Sequence, residues 1–276
     1  MIDDILALYP SDPATQEIQR IQTAHRIQLV KRWGIPPGAR VLEIGCGQGD
    51  TTAVLADAVG ADGFVQGVDI APPDYGAPET LGQARERLLS SPVGGRVSIT
   101  LSLDILTAPA PFAEKEFDVA VLSHCLWYLD SPALLDHLLW RIKPWTKRLA
   151  IAEWDPRPVV PEQMAHYQAA SIQAVCESFR KERSSNIRTL FYPREIERAV
   201  AAAGFRVEQT AAVDAPALQD GRWEAEMTAA EYPAVIRSLS GMPERLKALL
   251  LSQIEELKRV QAIRPLPVFC LTAGGI

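Results

Sequence analysis

Between Val41 and Asp50 the chain reads Val-Leu-Glu-Ile-Gly-Cys-Gly-Gln-Gly-Asp, an apolar run that passes directly into three glycines. A carboxylate, Glu43, stands two positions before the first of them. Val41, Leu42 and Ile44 predict a buried strand. Gly45, Gly47 and Gly49, with Cys46 inside the loop, predict a sharp turn whose bare backbone admits a ligand, and a helix opening at Thr51. The spacing is G-x-G-x-G, whereas a dinucleotide site uses G-x-G-x-x-G to seat a pyrophosphate on the amino end of the helix. Asp50 occupies the place of that last glycine. A carboxylate in the first helical turn opposes a phosphate in the same dipole field. Glu43 and Asp50 together predict a small ligand that carries an ammonium or sulfonium group and no phosphate.

Three further strand ends supply chemistry to the same place. Phe64 to Ile70 predicts a second strand ending in Asp69, at a separation from the loop that suits an acid bonding both hydroxyls of a ribose. A structural Asp capping the turn at Pro72 is the alternative. Val97 to Leu101 predicts a third strand followed by Asp104-Ile105, which also reads as a helix cap or loop acid. Phe117 to Leu122 predicts a fourth, delivering Ser123-His124-Cys125-Leu126-Trp127-Tyr128. Ligands of open α/β sheets bind just beyond such carboxyl ends.

On these residues the chain resembles class I S-adenosylmethionine (SAM) dependent methyltransferases of the small-molecule type. The resemblance implies a Rossmann-like α/β fold: a seven-stranded, mostly parallel sheet with an antiparallel last strand, plus helical cap insertions. It implies that Glu43, Gly45, Cys46, Gly47, Gly49, Asp69, Ile70, Asp104, Ile105 and Ser123 hold SAM, the Asp104 carboxylate facing the adenine amino group and a backbone amide its ring. Nucleic-acid amino methyltransferases carry Asn or Asp, then Pro-Pro and an aromatic residue, after strand four. Here that position is Ser123-His124-Cys125-Leu126, and Pro72-Pro73-Asp74-Tyr75 follows strand two instead. Magnesium-dependent catechol-type enzymes need several oxygen ligands that Asp155 alone does not supply, so no metal is expected.

The elements that must position this chemistry are legible as periodic runs. Ser11-Asp12-Pro13 reads as a helix start, and Ile18, Ile21, His25, Leu29 and Trp33 share one face until Gly34 and Pro36 stop it. His25, the polar member of that stripe, is either a satisfied core histidine or a neighbour of the cofactor. Helices follow the glycine loop (Val54, Leu55, Ala58, Val59), Pro78 (Leu81, Ala84, Leu88) and strand four (Leu134, Leu135, Leu138, Leu139, Ile142). Arg148 to Glu153 predicts strand five, ending in Trp154-Asp155. A helix with Ile196, Ala199, Val200 and Ala203 precedes strand six, Phe205 to Ala211. Pro267 to Thr272 predicts a last strand which, by the resemblance, inserts antiparallel between the fifth and sixth.

A single domain over residues 1–276 is expected: a helical cap at 1–35, a SAM-binding half at 36–155, a helical insertion at 156–190, and a half at 191–276 interrupted by a second insertion at 214–264. In the first insertion Met164, Gln168, Ile172, Val175 and Phe179 are spaced for a helix. The second shows helical patterns at Tyr232–Leu239 and Leu246–Val260. These helices form either a roof over a substrate cavity or a dimer face, and the oligomeric state is left open. Trp127, Tyr128, Trp154 and Trp223 are candidate aromatic walls for an apolar, aromatic or amine substrate. Asp220-Gly221 signals a turn that presents Arg222 either to a substrate carboxylate or to a surface ion pair.

Composition agrees with this reading. A chain of 276 residues, 47% hydrophobic, has enough apolar material for a large core, and a net charge of −6 argues against an unaided nucleic-acid surface. The densest basic stretch, Arg180-Lys181-Glu182-Arg183, reads as a solvated helix end. Cys46, Cys125, Cys176 and Cys270 form no C-x-x-C pair, and neither a signal segment nor a membrane-spanning run is present, so a soluble cytoplasmic protein is expected. The predicted reaction is in-line attack by an O, N or S atom of a small acceptor on the SAM methyl group, leaving S-adenosylhomocysteine. Where a base is needed, His124 is the candidate, because an imidazole exchanges protons near neutrality, with Glu153 and Asp155 as second choices. A structural histidine is the competing account of His124. The alternatives to an acceptor methyltransferase are a nicotinamide oxidoreductase and a catalytically silent SAM-binding regulatory or assembly protein.

Overall fold

A computed structural model describes residues 2–7, 13–180 and 185–275. One sheet contains β1 (Arg40–Ile44), β2 (Phe64–Val68), β3 (Val97–Thr100), β4 (Phe117–Ser123), β5 (Thr146–Trp154), β6 (Phe205–Val213) and β7 (Val268–Gly275). Their order is β3-β2-β1-β4-β5-β7-β6. β1 to β5 run parallel, and β7 lies antiparallel between β5 and β6, so the fold is the Rossmann-like sheet expected. Central parallel strands are covered on both faces and must be apolar almost throughout. Val41, Leu42, Val121, Leu122, Ile151 and Ala152 meet that requirement, each being fully buried.

Nine helices are described: α1 (Ile2–Leu6), α2 (Pro13–Trp33), α3 (Asp50–Val59), α4 (Leu81–Leu89), α5 (Pro132–Ile142), α6 (Met164–Ser178), α7 (Pro193–Ala202), α8 (Asp220–Ser238) and α9 (Glu244–Leu257). α3 packs Ala53, Val54, Leu55 and Val59 into the core, each apolar side chain of this size contributing roughly 1.5–3 kcal/mol for full burial. α4 starts on a capping box in which Thr80 and Gln83 each satisfy the other's backbone N–H. The cap predicted at Ser11-Asp12 lies outside the described residues. At the other end of α2, Trp33 is buried and its Nε1 donates to the Ile151 carbonyl at 3.3 Å, docking the helix on β5. Among the described residues no helix is long and apolar enough to cross a membrane.

Several boundaries differ from the sequence expectation for identifiable reasons. β2 stops at Val68, two residues before Ile70, and Asp69 beyond it turns its carboxylate back to the backbone N–H groups of Gly47 and Ala71. α3 opens at Asp50 because Gly49, in the left-handed region at φ 83°, forms its cap. In α6 the predicted stripe holds at Ile172, Val175 and Phe179, which pack in a second core, but a further face is buried as well. Met164 is exposed, whereas Ala165, His166, Ala169, Ala170, Gln173 and Glu177 are buried. That helix is covered on two sides, and its alanines let α8 approach. Asp220-Gly221 is not a turn but the first step of α8, and a Cβ on Gly221 would fall 2.8 Å from the Pro265 Cα. A second core beneath α6, α8 and α9 gathers Ile172, Cys176, Tyr232, Ile236, Leu250 and Ile254. Arg180 of the basic stretch pairs with Glu177 at 2.8 Å, and Lys181, Glu182 and Arg183 lie outside the described residues.

Candidate active site

The sheet register gathers the chemistry. Ile44 stands level with Val68 and with Leu122, and Ser123 with Ala152, so the carboxyl ends of β1, β2, β4 and β5 finish at one edge. The connections leave β1 toward β2 on one side and return at β4 on the other. This is the topological switch point at which open α/β sheets hold ligands.

Backbone packing explains the glycines there. Gly45 adopts φ 71°, and a Cβ on it would sit 2.8 Å from Cys125 Cβ, so both conformation and space exclude a side chain. Gly47, at φ 52°, has nothing within 4 Å of where its Cβ would be, which leaves its backbone facing open space. Asp69 holds this loop: its Oδ2 accepts from Gly47 N and its Oδ1 from Ala71 N, each at 2.9 Å. A carboxylate accepts about four hydrogen bonds, so capacity for a ligand remains on Asp69. Ile70 projects into solvent at the rim, 68% exposed, and Cys46 is buried beneath the loop.

The negative charge expected to flank the crevice is largely compensated within the protein. Glu43 is buried, accepts a hydrogen bond from Thr52 Oγ1, and has its pKa raised to about 8, chiefly by desolvation. Its carboxyl is therefore mostly protonated at neutral pH. Asp50 is paired with Arg26 of α2 at 3.2 Å. Asp104 caps its own turn, with Oδ1 accepting from Leu106 N and Oδ2 from Thr107 Oγ1, both at 2.9 Å. That is the loop-acid role, and Ile105 beside it is buried. Ser123 Oγ is buried with no protein partner.

Next to this crevice lies a cavity of about 210 Å³. Its wall combines Gln22, His25 and Arg26 of α2, His124, Trp127 and Tyr128 after β4, Glu153 and Trp154 at the end of β5, His166 of α6, and Asp220 and Glu224 of α8. α2, α6 and α8 thus contribute to the cavity, while α9 packs behind them. His124 is held at φ 51°, in the left-handed region that a non-glycine residue rarely occupies, and its N–H donates to the Ala152 carbonyl at 2.8 Å. This fixes the imidazole between two partners. His124 Nε2 lies 3.3 Å from His25 Nε2, and His124 Nδ1 lies 3.7 Å from Glu153 Oε1.

Glu153 is buried and accepts three backbone hydrogen bonds. Its Oε2 accepts from Leu126 N at 2.8 Å and Trp127 N at 3.4 Å, and its Oε1 from Trp154 N at 2.8 Å. It therefore ties the segment after β4 to the end of β5. Burial, together with the charges of His124 and Arg26, lowers the pKa of His25 to about 3, so His25 stays neutral. The two Nε2 atoms are within hydrogen-bond reach, so one ring donates its N–H to the other, and the tautomer decides which.

Of the predicted substrate residues, His25, Trp127, Tyr128 and Trp154 line the cavity. Asp155, Arg222 and Trp223 do not. Asp155 is buried in a bidentate pair with Arg157, Oδ2 to Nη2 at 2.6 Å, which removes it as a free base. Arg222 lies on the exposed side of α8, 3.7 Å from Glu226, and Trp223 beside it is half exposed, because the helix that replaced the predicted turn aims both away from the cavity. Glu224, two positions on, faces it instead. Sequence reasoning missed His166, Asp220 and Glu224. The signal for His166 was a polar side chain among the alanines of α6.

The sequence profile of a methyltransferase-domain family matches residues 17–210, from within α2 into β6. A cyclopropane-fatty-acyl-phospholipid synthase-like protein from Lactobacillus casei is 34% identical and superimposes with a TM-score of 0.89, covering 99% of this chain and 98% of that one. Methyltransferase phomM' of Diaporthe leptostromiformis is 28% identical over 249 residues, covering 76% of this chain. The chain spans 64% of the length of the curated relatives it matches there. The fold, at a TM-score of 0.54 and 16% identity, is shared with geranyl diphosphate C-methyltransferase from Streptomyces coelicolor, solved with Mg²⁺, geranyl diphosphate and S-adenosyl-L-homocysteine.

Proposed function

The chain belongs to the class I SAM-dependent methyltransferase family, and on that premise we propose that it transfers the methyl group of SAM to an oxygen, nitrogen or sulfur atom of a small acceptor held in the cavity beside the glycine loop. The observation that carries this is the convergence of the loop, Asp69 and the His25–His124–Glu153 array on one sheet edge, next to a walled cavity. The residues present suit the cofactor: an open backbone at Gly47, spare acceptor capacity on Asp69, and an unpartnered hydroxyl on Ser123. Bound SAM would supply an electrophilic methyl group on a sulfonium.

The protein's part is to orient and to manage one proton. Holding two reactants collinear in a dry site is worth roughly 7–11 kcal/mol in favourable cases, and α2, α6 and α8 provide the roof. His124 Nε2 accepts the proton of an acceptor O–H or N–H once His25 gives way. The imidazolium so formed turns its Nδ1–H toward Glu153, 3.7 Å away. A thiol acceptor ionises more readily and asks less of this base. The four free thiols, three of them buried, fit a reducing compartment such as the cytoplasm.

Titration of the purified protein with SAM, S-adenosylhomocysteine and NAD tests the cofactor, and release of S-adenosylhomocysteine on addition of candidate acceptors tests turnover. Binding of NAD without SAM would replace this reading with an oxidoreductase. Binding of SAM without turnover on any acceptor would leave a silent SAM-binding protein. The pH dependence of binding is a separate expected outcome. A cationic ligand favours ionised Glu43, whose pKa of about 8 in the free protein then falls. SAM affinity should therefore climb between about pH 6 and pH 8, level off above, and be accompanied by proton release. Calorimetry in buffers of different ionisation enthalpy measures that release, and a flat affinity with no proton exchanged would remove Glu43 from the site.

A further inference from the structure

We propose that Trp127 and His166 form a subsite for a neutral carbonyl oxygen of the acceptor, as in a ketone, ester or amide; this rests on the cavity being the acceptor site. His166 is fully buried on α6, and its Nδ1 accepts the Leu266 backbone N–H at 2.9 Å. A neutral imidazole carries a single N–H, so the proton resides on Nε2. Burial, reinforced by the charge of His124, keeps the ring neutral, with a pKa lowered to about 3. The Trp154 ring packs against it at 5.1 Å and fixes its plane.

Neither His166 Nε2 nor Trp127 Nε1 has a hydrogen-bond partner in the protein, although both are buried and both residues line the cavity. Their rings lie 6.2 Å apart. Leaving a buried N–H unpaired forfeits its hydration without a replacement. Two such donors, on neighbouring rings of residues that line the cavity, point to an acceptor atom brought by the ligand. The charges around them select its type. Glu153, Asp220 and Glu224 line the same cavity, and the guanidinium there, Arg26, is paired with Asp50. An anionic head would meet carboxyl groups, whereas a neutral carbonyl oxygen matches two uncharged donors. The aromatic faces of Trp127, Tyr128 and Trp154 suit a compact apolar body behind it.

A matched set of probes tests this by calorimetry on the full chain saturated with S-adenosylhomocysteine: 4-hydroxyacetophenone, 4-ethylphenol and 4-hydroxybenzoate. The ketone should bind about tenfold more tightly than the other two. Trp127→Phe keeps the ring and removes its donor; His166→Asn keeps an acceptor for Leu266 N–H and removes Nε2–H. Each should weaken the ketone about fivefold to tenfold while leaving 4-ethylphenol and S-adenosylhomocysteine within about twofold. Equal affinities for the three probes, preference for the carboxylate, no binding of the ketone, or parallel losses for ketone and ethylphenol would overturn the subsite. Failure of S-adenosylhomocysteine to bind the wild-type protein would instead remove the methyltransferase reading, and the subsite with it.

Discussion

His124→Ala is expected to lower the turnover number about 10²- to 10⁴-fold, the usual worth of a positioned acid or base, while changing the dissociation constant of SAM by less than about twofold. The separation follows from where His124 sits. Its ring lies between His25 and Glu153 in the cavity, at 3.3 Å and 3.7 Å, whereas the crevice proposed for the cofactor is built from the glycine loop and Asp69. The side chain is a quarter exposed and the backbone bond to Ala152 survives its removal. Alanine inherits the same left-handed φ, so the strain is not changed greatly. Single-turnover kinetics with a protic acceptor, paired with calorimetry for SAM, measure the two quantities. Equal losses in both would reduce His124 to a binding or folding residue, and unchanged turnover would exclude it as the base.

Asp69→Ala is expected to weaken SAM binding by about 10²-fold or more. Two bonds to backbone N–H groups disappear with the carboxylate, those to Gly47 and Ala71 at 2.9 Å each. Hydrogen bonds to charged groups contribute about 1.5–3 kcal/mol apiece, so the glycine loop loses its main restraint, and the proposed ribose acceptor goes with it. Asp69→Asn retains the shape and one acceptor oxygen, and should fall between the two. Thermal unfolding separates the effect from collapse: a folded Asp69→Ala protein that keeps its SAM affinity within about threefold would show that Asp69 only caps the turn.

The part of the site that follows β1 and β2 was legible because it is local. Gly45, Gly47 and Asp69 owe their roles to a strand end, a turn and the next strand end, and alternation of apolar runs with helical stripes predicted the sheet that aligns them. The charge argument attached to that loop was less secure. Glu43 and Asp50 are acids in the sequence, yet one is neutralised by burial and the other by Arg26, residues away on a different helix. Protonation is a property of surroundings, and surroundings are set by packing.

The cavity shows the same division more sharply. His25 and His124 touch across 99 positions, and Leu266 fixes the proton on His166 across 100. Periodicity placed His25 on a buried face but gave no hint of its neighbour, and in α6 it found the face of Ile172, Val175 and Phe179 but not the second buried face that carries His166. For Arg222 the surface ion pair, one of its two readings, is what the structure holds, and Trp223, a candidate wall, lies outside the cavity because the predicted turn is helix. The amino-acid order by itself determined the strands, their sequence along the fold and the cofactor loop, since these depend on residues a few positions apart. Which side chains meet in the cavity, and which of their protons find no acceptor, was decided only when α2, α6 and α8 closed over the sheet. A cavity is the space those elements leave between them, and no one of them encodes it.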